Sequence, residues 1–419
     1  MLQKRVGQLL KSQEIPSFPA NLGGASAGNT PLPRAPSPGI KEQEPPLKTS
    51  TFFRRAFAAV GLLLLAAASP LAAQSSGSGS SDEYPQFDFE GLFYLTYQMG
   101  EAGGEDFSKF AVTRSYFTSK VKILPMLSAR ITMDARQDDT GDMKVRLKYA
   151  YGKFDFGDWG GLSKVNLEAG VVHMVWLDFE QKVNPYRMRD KMFMERSGLF
   201  NSADIGVTLA GGFGEDLSDE FKDEVNSSYP AKYGSWAFGV YNGGGYSANE
   251  KNEDKTVQAR LTVRPLPDVL PGFQLSGLGI LGEGNQEGEP EETPDYKVFN
   301  LTASYQFPNG VVTGQYVTGE GNQKGSWYEP DDPSIAHEYD GFSFFGEYKV
   351  GPHWRLVAGY DDFNRTPEGM DLSFTRIHGG IGYDFGGSNI LLLDLDQRYW
   401  EDDDRETDTR AQIVMQVKY

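Results

Sequence analysis

From Gln86 to Tyr419 the chain is a succession of segments in which apolar and polar residues alternate at every second position. After residue 73 no run stays apolar for the roughly 18 residues that a membrane helix needs. A period of two puts alternate side chains on opposite faces of an extended strand. In "FDFEGLFYLTYQM", Phe87, Phe89, Phe93, Leu95, Tyr97 and Met99 fall on one face, and Asp88, Glu90, Tyr94, Thr96 and Gln98 on the other. "TVQARLTVRP" sets Val257, Ala259, Leu261 and Val263 against Gln258, Arg260, Thr262 and Arg264. In "MKVRLKYAY" the same rule puts Val145, Leu147, Tyr149 and Tyr151 opposite Lys144, Arg146 and Lys148. The last ten residues, "RAQIVMQVKY", place Ala411, Ile413, Met415, Val417 and Tyr419 opposite Arg410, Gln412, Gln416 and Lys418, with Val414 the one apolar intruder. One face carries the charges and the other has almost none.

Alternation alone fits a soluble sheet or a membrane barrel, so length and connections must decide. Sixteen strands are expected, near 86–99, 109–123, 127–136, 143–156, 163–174, 203–212, 233–242, 255–264, 272–282, 295–307, 310–319, 339–350, 353–364, 372–385, 388–400 and 407–419. Most reach the ten or so residues with which a tilted strand crosses a hydrocarbon layer, whereas sandwich strands run to about five or six. The connections also alternate. "LPM" (124–126), "LPDVLPG" (266–272), "PNG" (308–310), "GPH" (351–353) and "GGSN" (386–389) are short, while "NGGGYSANEKNED", "EGNQEGEPEETP", residues 321–338 and "RTPEGMD" are longer, acidic and Gly-rich. That parity matches short periplasmic turns and long external loops. The segment "FGEDLSDEFKDEVNSSYPAK" (213–232) breaks it, being long where a turn is expected. An even strand count and the parity imply an all-β fold, a 16-stranded antiparallel transmembrane β-barrel over 86–419.

An address precedes the barrel. In residues 51–73, Arg54 and Arg55 lead an apolar run from Ala56 to Ala68, and Leu71-Ala72-Ala73 offers a small-residue cleavage site. These are the parts of a secretory signal peptide, with cleavage expected near Ala73. Residues 1–50 show no packing pattern and are an unstructured extension or an over-called start, and 74–85 form a Ser/Gly linker. Residues 1–73 hold eight of the 40 basic and three of the 58 acidic side chains, so the chain without them is net −23. A nucleic-acid partner is excluded on that balance, and an acidic exterior suits divalent-ion bridging to outer-membrane lipid and lipopolysaccharide. The chain has no cysteine and its four histidines are scattered, so neither a metal site nor a cofactor is expected.

Within such a barrel, "WLDFEQKVNPYRMRDKMFMERSGLFNS" (176–202) is the third external connection. A loop in free solvent has no use for Trp176, Leu177, Phe179, Tyr186, Met192, Phe193 and Phe200, so the loop is expected to fold inward, a cap or subunit contact being the alternative. "LKYAYGKFDF", "VNLEAGVVHMVWLDFEQ" and "FMERSGLFNSADIGVTLAG" resemble the phosphate-selective porin O/P family, and "YNGGG…ARLTVRP" and "FFGEY…AGY" come after them in the same order. The resemblance implies a trimeric passive channel for small hydrophilic solutes, narrowed by its third loop. Pore-lining candidates are Arg114, Arg130, Arg146 and Lys148 of the strands with Asp178, Glu180, Arg187, Arg189, Lys191 and Arg196 of the loop. Basic rings stabilise a passing anion, whereas opposed carboxylates give a transverse field and little selectivity. Two channel types stay open: a general or weakly anion-preferring pore for small anions or nutrients, and a phosphate- or oxyanion-specific one.

Three further features compete. His173, near Glu168 and Asp178, raises an outer-membrane hydrolase, although no serine stands in a nucleophile context. A surface adhesin would share the alternating strands. "EDDDRETD" (401–408) resembles a calcium-binding run but lacks the spaced Gly and terminal Glu. Tyr94, Trp236, Tyr348, Trp354 and Trp400 fit interfacial girdles.

Overall fold

The computed structural model describes residues 84–138, 140–288, 292–365, 372–402 and 404–419. The expected leader, the extension before it and the linker as far as residue 83 lie outside the described residues.

Sixteen strands close into one antiparallel barrel. They are β1 (Gln86–Ala102), β2 (Glu105–Leu124), β3 (Leu127–Gln137), β4 (Met143–Trp159), β5 (Leu162–His173), β6 (Ala203–Phe213), β7 (Gly234–Tyr241), β8 (Thr256–Val263), β9 (Phe273–Glu283), β10 (Asp295–Phe307), β11 (Gly310–Glu320), β14 (Glu338–Val350), β15 (Trp354–Arg365), β16 (Phe374–Gly386), β17 (Asn389–Trp400) and β18 (Asp408–Lys418). Two short strands, β12 (Tyr328–Glu329) and β13 (Asp332–Ala336), form a separate ribbon between β11 and β14. Each barrel strand pairs with its sequence neighbour, and β1 pairs with β18 from Leu92↔Lys418 to Glu101↔Thr409. Closure leaves no strand edge unpaired, the condition for sheet backbone in hydrocarbon. Tyr419 extends the seam: its N–H donates to Gly91 O at 3.1 Å and its carbonyl accepts from Gly91 N at 3.0 Å.

The two faces sort as the alternation requires. Leu301, Leu395, Phe110, Leu393 and Ile413 point outward and are exposed. Thr302, Asp394, Asp396, Gln412 and Gln416 point inward and are buried. Val414, the intruder on the polar face, is fully buried inside. Tyr348 and Trp354 are exposed at the turn between β14 and β15, as a girdle needs, but Tyr94 faces inward and is only 4% exposed. Its position in phase with Thr96 and Gln98 decides this, not its aromatic ring.

Two local departures reshape the inner wall. Thr132 pairs with Tyr149 but Met133 pairs with Leu147, so Lys148 is an extra residue, a β-bulge. The bulge reverses the phase of β4, and Tyr149, expected outward with Val145 and Leu147, is buried inside beside Lys148. A second register shift lies between Tyr94 and Leu95, where β2 carries the extra residue Thr113. The expected parity of connections holds for the turns at 125–126, 160–161, 308–309, 351–353 and 387–388, all on one rim. On the opposite rim the β1–β2 connection shrinks to Gly103–Gly104, because both strands run past their expected ends. Both glycines have φ in the left-handed region, which so tight a reversal demands.

Candidate functional site

Residues 174–202 link β5 to β6 through two short helices, α1 (Leu177–Val183) and α2 (Phe193–Arg196). Their apolar side chains make the main buried core of the molecule. Trp176, Leu177, Met194 and Leu199 cluster with Ile280, Val298, Val317, Leu392 and Val414, all inward-facing residues of the barrel wall. An inward face that is apolar over β9–β11 would be poorly solvated if open to water, and its side chains share one buried cluster with those of this segment.

Polar contacts anchor the rest. Glu180 accepts from Trp176 Nε1 at 3.0 Å and from the Gln315 amide of β11. Tyr186 donates to Glu347 of β14 at 2.7 Å. Arg189 Nε donates to Asp394 Oδ1 of β17 at 2.8 Å, and Arg189 O accepts from Gln412 Nε2 of β18 at 2.8 Å. Arg196 pairs with Asp361 of β15, and Asp190 accepts from Arg376 of β16 at 3.0 Å. Arg187 donates to the two carboxylate oxygens of Glu195 through its terminal nitrogens Nη1 and Nη2, an ion pair internal to the segment.

Electrostatics within the segment follow from these partners. Burial pushes the Glu180 carboxyl up to about 7, since its donors are neutral and only partly offset desolvation. Burial would raise Asp178 too, but His173, Lys182 and the Tyr229 hydroxyl outweigh it and hold the group at about 2. Glu195 is likewise held at about 2 against its burial, chiefly by Arg187.

The space left beside the segment is uneven. A small pocket of about 40 Å³ lies against Gln315 of β11, Ser343 of β14, Asp361 of β15 and Arg376 of β16, lined by Glu180, Arg189, Lys191 and Arg196 of the segment. A cavity of about 610 Å³ runs along β1–β4 and, at the rim of short turns, is also bordered by the ends of β10–β11 and β14–β18. Tyr116, Arg130, Lys148, Tyr149, His173, Asp178 and Arg187 line its inner part. Lys148 Nζ donates to Tyr116 Oη at 2.7 Å and to Ser202 Oγ at 2.9 Å. Arg114 also binds the Tyr116 hydroxyl, and its guanidinium lies 5.4 Å from the ring centre. Arg130 lies 4.9 Å over the Tyr149 ring and contacts His173 Nε2 at 3.2 Å.

The ten residues picked out from the sequence therefore divide. Arg130, Lys148, Asp178 and Arg187 border the large cavity, and Arg114 sits behind Tyr116. Glu180, Arg189 and Arg196 are committed to the wall on the other side, and the Lys191 side chain is exposed. Arg146 stands apart on β4, half-buried. Arg260 and Arg264, in phase with the polar face, do not open onto the bore either. They are 2% and 4% exposed and hold connecting segments in place. Tyr116 and Tyr149 escaped the sequence reasoning; an aromatic one or two positions from a basic residue on an inward face was their only signal.

The hydrolase arrangement is not assembled at His173. Nδ1 faces Glu168 Oε2 at 3.0 Å, but Nε2 faces the Arg130 guanidinium, so the lone pair that would activate a serine is taken.

No curated protein sequence matches the chain. Solved structures do. OmpF of Salmonella typhi, in complex with daunomycin, superposes with a TM-score of 0.57 at 13% identity, over 81% of this chain and 99% of that one. The anion-selective porin from Comamonas acidovorans gives 0.56 at 10% identity, over 80% and 100%. The trimer form of OmpT, an outer membrane protein of Vibrio cholerae, gives 0.51 at 13%, again over 80% and 100%. Such identities speak for the fold alone. The family model for Gram-negative porins matches residues 58–391, and with a closed 16-stranded barrel bearing a charged inner face the chain belongs to the Gram-negative porins of the outer membrane.

Proposed function

We propose that this porin is a passive diffusion channel for small hydrophilic solutes and ions with a weak preference for anions. In this reading residues 174–202 fold inward from the external rim and narrow the bore against β1–β4. The observation that carries it is the charge of the large cavity. Arg130, Lys148, Lys182, Arg187, Lys222, Lys349, Arg355 and Lys418 line it against Glu90, Asp178, Glu347 and Asp384, a surplus of four positive charges in a chain that is net −18. A bore of low-dielectric walls with that surplus favours anions and repels cations. The carboxylates interspersed among the bases argue for a modest preference. The anion selectivity named for the Comamonas acidovorans relative points the same way.

The phosphate-specific alternative rests on Arg114 and Lys148 converging on one tyrosine hydroxyl, a compact cationic pair whose neighbouring carboxylate, Glu195, is held by Arg187. Single-channel recording in KCl, then with phosphate and then a sugar added, separates the two. A large conductance, mildly anion-selective and unblocked by phosphate, is expected. Block by low phosphate favours the specific channel, and no conductance at all sinks both. Assembly as a homotrimer, the form named for the Vibrio cholerae relative, is checked by cross-linking the purified protein in detergent.

A further inference from the structure

The β6–β7 connection, residues 214–233, leaves from the rim of short turns: Gly214 N donates to Gly161 O at 3.0 Å, beside the β4–β5 turn. A two-residue turn would suffice there, since Tyr233 N already donates to Phe213 O at 3.1 Å. The chain instead builds a folded unit. Lys232 N donates to Glu215 O at 2.7 Å and Leu217 N to Pro230 O at 2.8 Å, and then comes a third helix, α3 (Asp219–Glu224). Ser218 Oγ caps α3 by accepting from Phe221 N at 3.3 Å. Phe221 of this helix is buried, as are Leu217 and Ala231 on either side of it in the connection.

The return of this unit meets the segment that comes from the other rim. Tyr229 Oη donates to Asp178 Oδ2 at 2.7 Å, and Asn226 Nδ2 donates to Lys182 O at 2.7 Å; both acceptors belong to α1. Two buried wall arginines hold the junction. The Arg260 guanidinium lies 4.4 Å from the Phe179 ring centre and 5.1 Å from that of Tyr229, and its Nε donates to Val175 O at 3.0 Å. Arg264 donates to Tyr229 O at 3.2 Å and lies 5.6 Å over Phe221. Tyr229 has φ 51°, a conformation a bulky residue adopts only when its surroundings enforce it. Beyond these contacts, Ser227 and Ser228 border the large cavity opposite Arg187 and Lys182.

We propose that residues 214–233 are a second pore-lining element, entering from the periplasmic rim, and that Tyr229 and Asn226 position α1, so that two connections from opposite rims jointly set the conducting path. This rests on the reading of the chain as a channel and adds a wall that parity alone would not place there.

Because the chain has no cysteine, Ser227→Cys introduces a single reactive thiol. The variant is recorded in planar bilayers while a bulky cationic thiosulfonate is added, with labelling verified by mass. A drop of about half in unitary conductance is expected if the label narrows one of two apposed walls. Complete labelling with unchanged conductance overturns the proposal, and so does failure to label from either side. The double variant Tyr229→Phe/Asn226→Ala tests the positioning role. It should raise open-channel noise and admit larger sugars in liposome swelling; a sugar cut-off identical to the parent's overturns that role. A parent protein that conducts nothing defeats the channel assignment itself, a result distinct from either of these.

Discussion

Replacing Lys148 with methionine removes one positive charge from the cavity wall and leaves no carboxylate orphaned, because the partners of Lys148 are the hydroxyls of Tyr116 and Ser202. Methionine keeps the length and fits the bulge, and the variant should fold, since a buried ammonium contributes little net stability. Selectivity is another matter. A unit charge about 6 Å from a passing ion in a water-like medium is worth about 0.7 kcal/mol, attractive for anions and repulsive for cations. Losing it lowers the anion-to-cation permeability ratio about tenfold unscreened, and about fourfold at 0.1 M salt, where the Debye length is about 10 Å. The assay is the reversal potential under a KCl gradient, which should shift towards cation preference. A conducting Lys148→Met channel whose reversal potential does not move would refute the placement of the path along β1–β4.

Other parts of the molecule make their own demands. Glu180, raised to about 7 from an ordinary 4.5, stabilises the folded loop fully below pH 4.5 and loses that contribution as pH rises through 7; the protection of α1 amides, taken relative to their intrinsic base-catalysed exchange, should fall over that window and stay constant in Glu180→Gln. Asp394→Asn leaves buried Arg189 without its carboxylate and should cost about 3–5 kcal/mol, read as a lower temperature of heat modification on a gel. Deleting Tyr419 removes the last backbone pair of the seam and the ring that stacks on Phe93 at 6.1 Å, so outer-membrane insertion should fall while channels that do insert conduct normally.

The barrel was legible because its code is local. Each of the sixteen strands carries its own alternation, and boundaries came within a few residues except at the β1–β2 tip, where Glu101 and Glu105 read as loop but continue the pairing beyond the apolar belt. The bulge at Lys148 was not legible, since "RLKYAY" alternates without a break and only the pairing with β3 reveals the extra residue. Inward apolar positions left a faint trace. In "DYKVFNLTASYQF", Tyr296 and Val298 share a face with Asn300 and Thr302, which implies a wall covered at one end and wet at the other. The fold of 214–233 was signalled by Ser218 followed by Asp219 and Glu220, a helix start, but its contact with α1 depends on residues some fifty positions apart.

The contacts of Arg189 bear on how such a molecule is made. Its side chain holds β17 and its carbonyl holds β18, while the neighbouring Asp190 reaches Arg410 on β18. Those strands follow every other strand of the barrel in the chain, and β18 completes the cylinder by pairing with β1. The docking surface for this stretch of the loop therefore does not exist until the final strands arrive, and the loop then fastens the newest part of the sheet from within. On the channel reading proposed above, aperture and closure become one event, so a half-assembled intermediate has no defined bore through which the cell could leak.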